Sequence, residues 1–265
     1  MNDEKRMFFG VEIAAAWPSP LPSGRMVPEE SRHITLAFLG NHSVSHLTNL
    51  LPQIPKPDFR IGIVGICDDF IFLPKRHPRV IAGHVKWLEE ENALQTFQKK
   101  LADWLRTENY QIDTRDFLAH ISIAREPFSD DDWKNAFSEF PVFIKAIHLY
   151  ESVGSLTYVP LWSHLLFSPF EDLEHTADIA YVIRGENLEQ LYLHAQMALA
   201  FECPALTAYL SNTTPNSLDD IVFGLNEIVA QADQEVGAPF KAVSFHGNIV
   251  KQNNQLLEWE MIVDV

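Results

Sequence analysis

The sequence predicts an α+β fold in which a larger unit, built from two similar halves around antiparallel sheets, is followed by a small second α+β unit. Three observations carry this. Short β-prone runs are mixed irregularly with stretches of helical period, the pattern of an α+β chain with a largely antiparallel sheet. One apolar strand pattern occurs twice, as HITLAF from His33 and as HISIAR from His120, 87 positions apart. Charge changes abruptly near residue 170: residues 1–170 hold 17 Lys and Arg against 21 Asp and Glu, and residues 171–265 only 3 against 15. The boundary divides the chain into domains 1–170 and 171–265.

A first strand is expected over Phe8 to Ala15, followed by a Pro-rich turn from Pro18 to Pro28. HITLAFLG reads as a strand ending at Gly40, and Val44 to Leu51 as a short helix stopped by the prolines of LPQIPKP. Phe59 to Ile66 reads as another strand. Glu89 to Thr107 carries Leu94, Phe97, Leu101, Trp104 and Leu105 at spacings of three and four, an amphipathic helix. Tyr110 to Phe117 leads into HISIAR, and Ile144 to Ser152 and Trp162 to Phe167 supply closing strands. After residue 170 come a polar turn, a strand over Ile179 to Arg184 and a helix from Leu188 to Phe201. A second helix opens at Ser217 with the capping-box pattern Ser-Leu-Asp-Asp and ends near Gly237. Strands over Phe240 to Val250 and Leu256 to Val265 complete a β-α-α-β-β unit.

The chain has 265 residues and a formal net charge of -16. Neither a secretory leader nor an apolar run of the ~18 residues a membrane span needs is expected. Cys67 and Cys203 match no metal or disulfide spacing. A cytoplasmic protein with no membrane partner is the expectation. Phosphate backbones are bound by Lys and Arg that displace counterions, so any nucleic-acid contact belongs to residues 1–170.

Side chains alternate across a strand, so His33 and Thr35 share one face while Ile34 and Leu36 take the other. The same holds for His120 and Ser122 against Ile121 and Ile123. Each copy thus offers an imidazole beside a hydroxyl over an apolar underside. The histidines at 42, 46, 77, 84, 148, 164 and 194 are read as incidental or structural. Two imidazoles suit phosphodiester hydrolysis or transesterification, because a pKa of about 6.5 makes both protonation states accessible. One ring takes a proton from water and the other supplies one to the leaving oxygen. Thr35 and Ser122 can donate to the non-bridging phosphate oxygens. No carboxylate accompanies either pair, so the chemistry calls for no metal. Lys75, Arg76 and Arg79, clustered between two apolar runs, are candidates for contact with substrate phosphates or RNA.

HITLAFLG and HISIAR resemble the two HxTx motifs of the 2H phosphoesterase superfamily, in the form found in bacterial RNA 2′,3′-cyclic phosphodiesterases, also named 2′-5′ RNA ligases. The likeness extends to MFFGVEI, FLPKRHPRVIAGHV, ENALQTFQKKLADWL and LYES, over roughly residues 5–170. It departs at Ser122, where threonine is usual, and at Ala119, where proline is frequent. The resemblance implies a bilobal, pseudo-twofold fold with the histidines facing across a groove, and hydrolysis of 2′,3′-cyclic phosphate RNA ends to 2′-phosphates. It makes His33 and His120 catalytic, without saying which is base and which acid. It makes Thr35, Ser122 and Arg125 phosphate-binding.

EHTADIAYVIRGENLEQLYLHAQMALAFE resembles the opening of archease, a protein that assists RtcB-type RNA ligases. That resemblance implies a ligase partner and a divalent metal, with Asp178 and Asp264 as ligands; Gly247 stands where an acidic residue is expected. The leading expectation is an RNA-end phosphodiesterase acting in RNA repair or tRNA processing. Its rivals are a non-catalytic adaptor for an RNA ligase and a 2H enzyme acting on small cyclic nucleotides.

Overall fold

A computed structural model describes residues 3–89, 92–113, 115–174 and 178–265. The first unit contains β1 (Glu4–Ala15), β2 (Arg25–Met26), β3 (His33–Ser43), α1 (Val44–Leu50), β4 (Val64–Leu73) and β5 (Val80–Trp87). It continues with α2 (Ala93–Thr107), β6 (His120–Arg125), α3 (Asp130–Asn135), β7 (Phe140–Gly154) and β8 (Thr157–Leu165). The second contains β9 (Phe170–Leu173), β10 (Ile179–Gly185), α4 (Leu188–Glu202), α5 (Leu218–Val236), β11 (Ala242–Lys251) and β12 (Leu257–Asp264).

Six long strands of the first unit are hydrogen-bonded in the order β1-β3-β6-β5-β4-β7, and β7 pairs back with β1. The antiparallel sheet therefore closes on itself like a barrel. The ring of strands keeps its order when β1 is exchanged with β5, β3 with β6 and β7 with β4, so the repeat in the sequence is also a repeat in strand order. Only one register pair, Ile34 with Ile121, joins β3 to β6. Both of these side chains are fully buried. They join a core with Phe9, Val11 and the inner face of α2, where Leu94, Phe97, Leu101 and Leu105 are buried.

The second sheet runs β11-β12-β10-β9, with α4 and α5 packed on it around Tyr181, Ile183, Trp259 and Met261. At the start of α5, Ser217 Oγ accepts from Asp220 N–H at 3.1 Å. Asp220 reaches back to the Asn216 amide at 2.8 Å, one residue earlier than an ordinary capping box. The two units pack directly: Phe143 meets Phe170 and Phe201 at ring distances of 5.3 and 5.4 Å. Glu89 accepts from the Val64 amide at 2.8 Å and from the Gln190 side chain.

Three local expectations are corrected. The strand placed at Phe59 to Ile66 begins only at Val64 and runs to Leu73. Its register with β5 couples it to the later residues, whatever the earlier alternation. The polar segment after residue 169 is partly a strand, β9, in which Glu171 and Asp172 are adjacent and exposed and so break the apolar alternation that marks a strand. The helix expected from Glu89 begins at Ala93, because Glu89 instead tethers the two units. No helix among the described residues is long and apolar enough to cross a membrane.

Candidate active site

The pairing of Ile34 with Ile121 fixes the geometry of the two motifs. In an antiparallel pair the flanking residues then meet crosswise, His33 opposite Ser122 and Thr35 opposite His120. Both isoleucines point into the core, so the four polar side chains share the other face. Extended by one residue on each side, this register sets each imidazole diagonally across a square from the other with a hydroxyl at each remaining corner; Thr35, His120 and Ser122 line one cavity, whose lining does not include His33.

The two rings are held in the same way. His33 Nδ1 lies 2.8 Å from the Ser31 carbonyl, and His120 Nδ1 lies 2.8 Å from the Leu118 carbonyl. A carbonyl only accepts, so each Nδ1 carries a proton, and Nε2 is the atom of each ring left to gain or lose one. The contact runs to the residue two positions back in both cases, so the local backbone repeats along with the motif. Gly10 makes room for the first ring: a Cβ there would stand 3.3 Å from His33 Cδ2 and 3.0 Å from the Ile34 carbonyl oxygen.

Their surroundings differ. His33 is packed by Phe8 at 4.7 Å, Tyr158 at 4.7 Å and Tyr150 at 5.4 Å between ring centroids. Burial depresses its pKa to about 4, against the Ser31 carbonyl that favours the charged form, and His120 and Arg125 push it further down. His120 instead lines a cavity of about 680 Å³ together with Thr35, Ser122, Arg79 and Arg125. Arg125 Nε is buried with no hydrogen-bond partner among the described residues. A buried cationic donor left unpaired at a cavity wall favours an anionic guest.

A bulge delivers Arg125 to this wall. Along β5 the evenly spaced Val80, Ala82 and His84 face Arg125, Ser122 and His120, so the register slips one residue at Ile123. Without that slip Arg125 would point with Ile121 and Ile123 into the core. Of the three basic residues in the β4–β5 turn, Arg79 reaches the cavity, while Lys75 and Arg76 are exposed and outside its lining.

Several residues of the site carried no separate mark in the sequence. Phe8 and Gly10 lie within MFFGVEI and Tyr150 within LYES, segments noted only for their resemblance. Tyr158 had no signal. His148, read as structural, is 4 % exposed and bonded to Glu12 Oε2 at 3.0 Å and to Ser163 Oγ at 2.8 Å. Its hydrogen bond holds the Glu12 carboxyl down at about 2.

In the second unit Ile179 pairs with Val263, so Asp178 and Asp264 follow at one end of the sheet. His175, Thr176 and Ala177 lie outside the described residues. Asp264 pairs with Lys241 at 3.6 Å. Among the described residues no group of three His, Cys, Asp or Glu side chains converges to hold a metal ion.

No protein-family model matches the chain, and no curated protein matches it. Solved structures are similar to part of the chain. One is E. coli LigT complexed with 3′-AMP, with 20 % identity, a TM-score of 0.45, and coverage of 62 % of this chain and 98 % of that one. A structure described as a phosphoesterase has 20 % identity, a TM-score of 0.44 and the same coverages. A protein of Thermus thermophilus has 17 % identity and a TM-score of 0.45, again covering 62 % and 98 %.

Proposed function

We propose that the chain hydrolyses 2′,3′-cyclic phosphates at RNA ends to 2′-phosphates. The observation that carries this reading is the square of two imidazoles and two hydroxyls with both Nδ1 atoms committed to carbonyls. It leaves two Nε2 atoms for proton transfer, the number an in-line displacement requires.

His33, kept neutral by burial, serves as the base. Its Nε2 takes a proton from water as the water oxygen bonds to phosphorus. The bond from phosphorus to the 3′ oxygen breaks on the opposite side, and protonated His120 gives its Nε2 proton to that oxygen. The product carries a 2′-phosphate and a 3′ hydroxyl. Thr35, Ser122 and Arg125 donate to the non-bridging oxygens, where charge concentrates in the transition state. Every proton is accounted for by side chains, so the proposal is of a metal-independent reaction. Its test is hydrolysis of a 2′,3′-cyclic-phosphate oligonucleotide with and without excess chelator. Undiminished turnover in chelator is expected, and abolished turnover would remove the two-histidine mechanism as sufficient.

For the acidic second unit we propose docking to an RtcB-type RNA ligase, in RNA repair or tRNA processing. Its 15 acidic against 3 basic residues disfavour RNA and suit a basic protein surface. The check is titration of the purified ligase with the full chain by calorimetry. No heat of binding at low salt would exclude the partner.

A further inference from the structure

The repeat that pairs the two motifs also relates two residues of unlike chemistry. Arg125 stands five positions after His120, and five positions after His33 stands Phe38. The same device brings both to the functional face. Along β1 the alternate residues Phe8, Gly10 and Glu12 face Phe38, Thr35 and His33, so the register slips one residue at Leu36, as it does at Ile123 in β6. Simple alternation would have placed Phe38 with Ile34 and Leu36 in the core. Instead Phe38 lines the same cavity as Arg125 and is 47 % exposed.

An aromatic ring held half in water at a cavity mouth contributes little to folding. This ring is nevertheless fixed in place. It stacks on the buried Phe8 at 5.4 Å and 22°, and Phe8 also packs His33, so Phe38 lies one aromatic ring from the reacting centre. The exposed Arg6 sits above the Phe38 ring at 5.6 Å. Much of the remaining wall is apolar, including Phe117 and the exposed Leu118, and its charged residues are Arg79, Arg115 and Arg125 against Asp113 and Asp116. An aromatic platform, a neighbouring cation on a long side chain and a cationic pocket for phosphate are together what a single nucleic-acid strand requires. Where one half of the repeat aims a guanidinium at the phosphate, the other half aims a ring.

We infer that Phe38 and Arg6 form an outer subsite that stacks the base, and neutralises the linking phosphate, of the nucleotide next to the reacting one. The site is thereby built for a single-stranded RNA end in preference to a cyclic mononucleotide. This rests on the phosphodiesterase reading of the same site.

The test compares the full chain with its Phe38→Ala, Phe38→Tyr and Arg6→Gln variants on adenosine 2′,3′-cyclic phosphate and on a trinucleotide ending in the same group. Phe38→Ala is expected to lower kcat/KM for the trinucleotide about 10-fold, the scale of one lost base stack, and to change the mononucleotide less than about 2-fold. Phe38→Tyr restores the ring and the rate, and Arg6→Gln reduces the salt dependence of the trinucleotide alone. Equal losses on both substrates, or no loss on either, overturn the subsite. Affinity of a fluorescent trinucleotide with the same end is measured in parallel by anisotropy. If neither substrate turns over but Phe38→Ala still weakens binding at least about 5-fold, the phosphodiesterase reading fails and the subsite stands. Undiminished binding by Phe38→Ala, or no binding by the unaltered chain, overturns the subsite whatever the turnover.

Discussion

The two halves of the first unit share a backbone and differ in setting. In β3 and β6 alike an imidazole is tied through Nδ1 to the carbonyl two residues back, a hydroxyl follows, and a bulge turns the fifth residue to the same face. Yet His33 is enclosed by Phe8, Tyr150 and Tyr158, while His120 opens on the cavity beside Arg125. Two similar strands thus have unlike surroundings, and in the proposed reaction that difference is what gives identical side chains opposite proton-transfer roles. The strongest break of that comparison removes the rings. His33→Ala and His120→Ala are each expected to lower kcat/KM for a cyclic-phosphate oligonucleotide by about 10²–10⁴-fold. Circular dichroism checks that both variants remain folded. Full activity in both would refute the acid/base pairing.

Arg125 marks the next difference, since its counterpart in the other half is a phenylalanine. Loss of a preorganised donor to a developing charge costs on the order of 10²–10³-fold in kcat, and Arg125→Ala is expected in that range. Arg125→Lys keeps the charge but not the planar fork, so it should recover only part of the loss. Steady-state kinetics that put the whole effect into KM would show that Arg125 binds ground state and transition state alike.

The unlike settings also set a pH dependence. A base must be unprotonated, and burial holds the His33 pKa at about 4, so the acidic limb of kcat/KM should fall at about pH 4. Tyr158→Ala lets water reach the ring and relieves the desolvation that lowers its pKa. The limb then moves up toward about 6.5, and at about pH 5 the variant should retain a smaller share of its maximal rate than the unaltered chain. The same shift has a folding consequence. Between about pH 6.5 and 4 the unfolded chain binds a proton at this residue that the folded chain does not, so stability declines as pH falls through that window. A limb that stays put in Tyr158→Ala would detach His33 from it.

The sequence made much of this visible because strand alternation and the repeat are both local patterns. HITLAF and HISIAR gave the two pairs, and the isoleucines beneath them gave the apolar anchor that became the Ile34–Ile121 register. What stayed hidden is what alternation cannot encode. A bulge adds one residue and inverts every later side chain, so alternation continued through each motif would turn Phe38 and Arg125 toward the core instead of the cavity. The aromatic enclosure of His33 is assembled from β1, β7 and β8, far apart in the chain, and a tyrosine such as Tyr158 in an exposed-looking hairpin gives no local sign of it. Glu89 was likewise read as the start of a helix because its tertiary partners, Val64 and Gln190, lie in different units.

The hydroxyls separate the halves least and sharpen the comparison most gently. Thr35 and Ser122 occupy opposite corners of the same square and differ by one methyl group. If both act only through the hydroxyl, Ser122→Thr makes the halves alike there and should change kcat/KM by less than about 2-fold. A β-branched residue also suits a strand, so the variant should melt at the same temperature or slightly higher. Ser122 faces Ala82 across β5 and borders the open cavity, which leaves room for the methyl. Ser122→Ala is the companion, and its larger loss on the same substrate would assign the effect to the hydroxyl. A loss of about 10-fold in Ser122→Thr would instead mean that the second half depends on a rotamer threonine cannot take, and that the two corners are not equivalent.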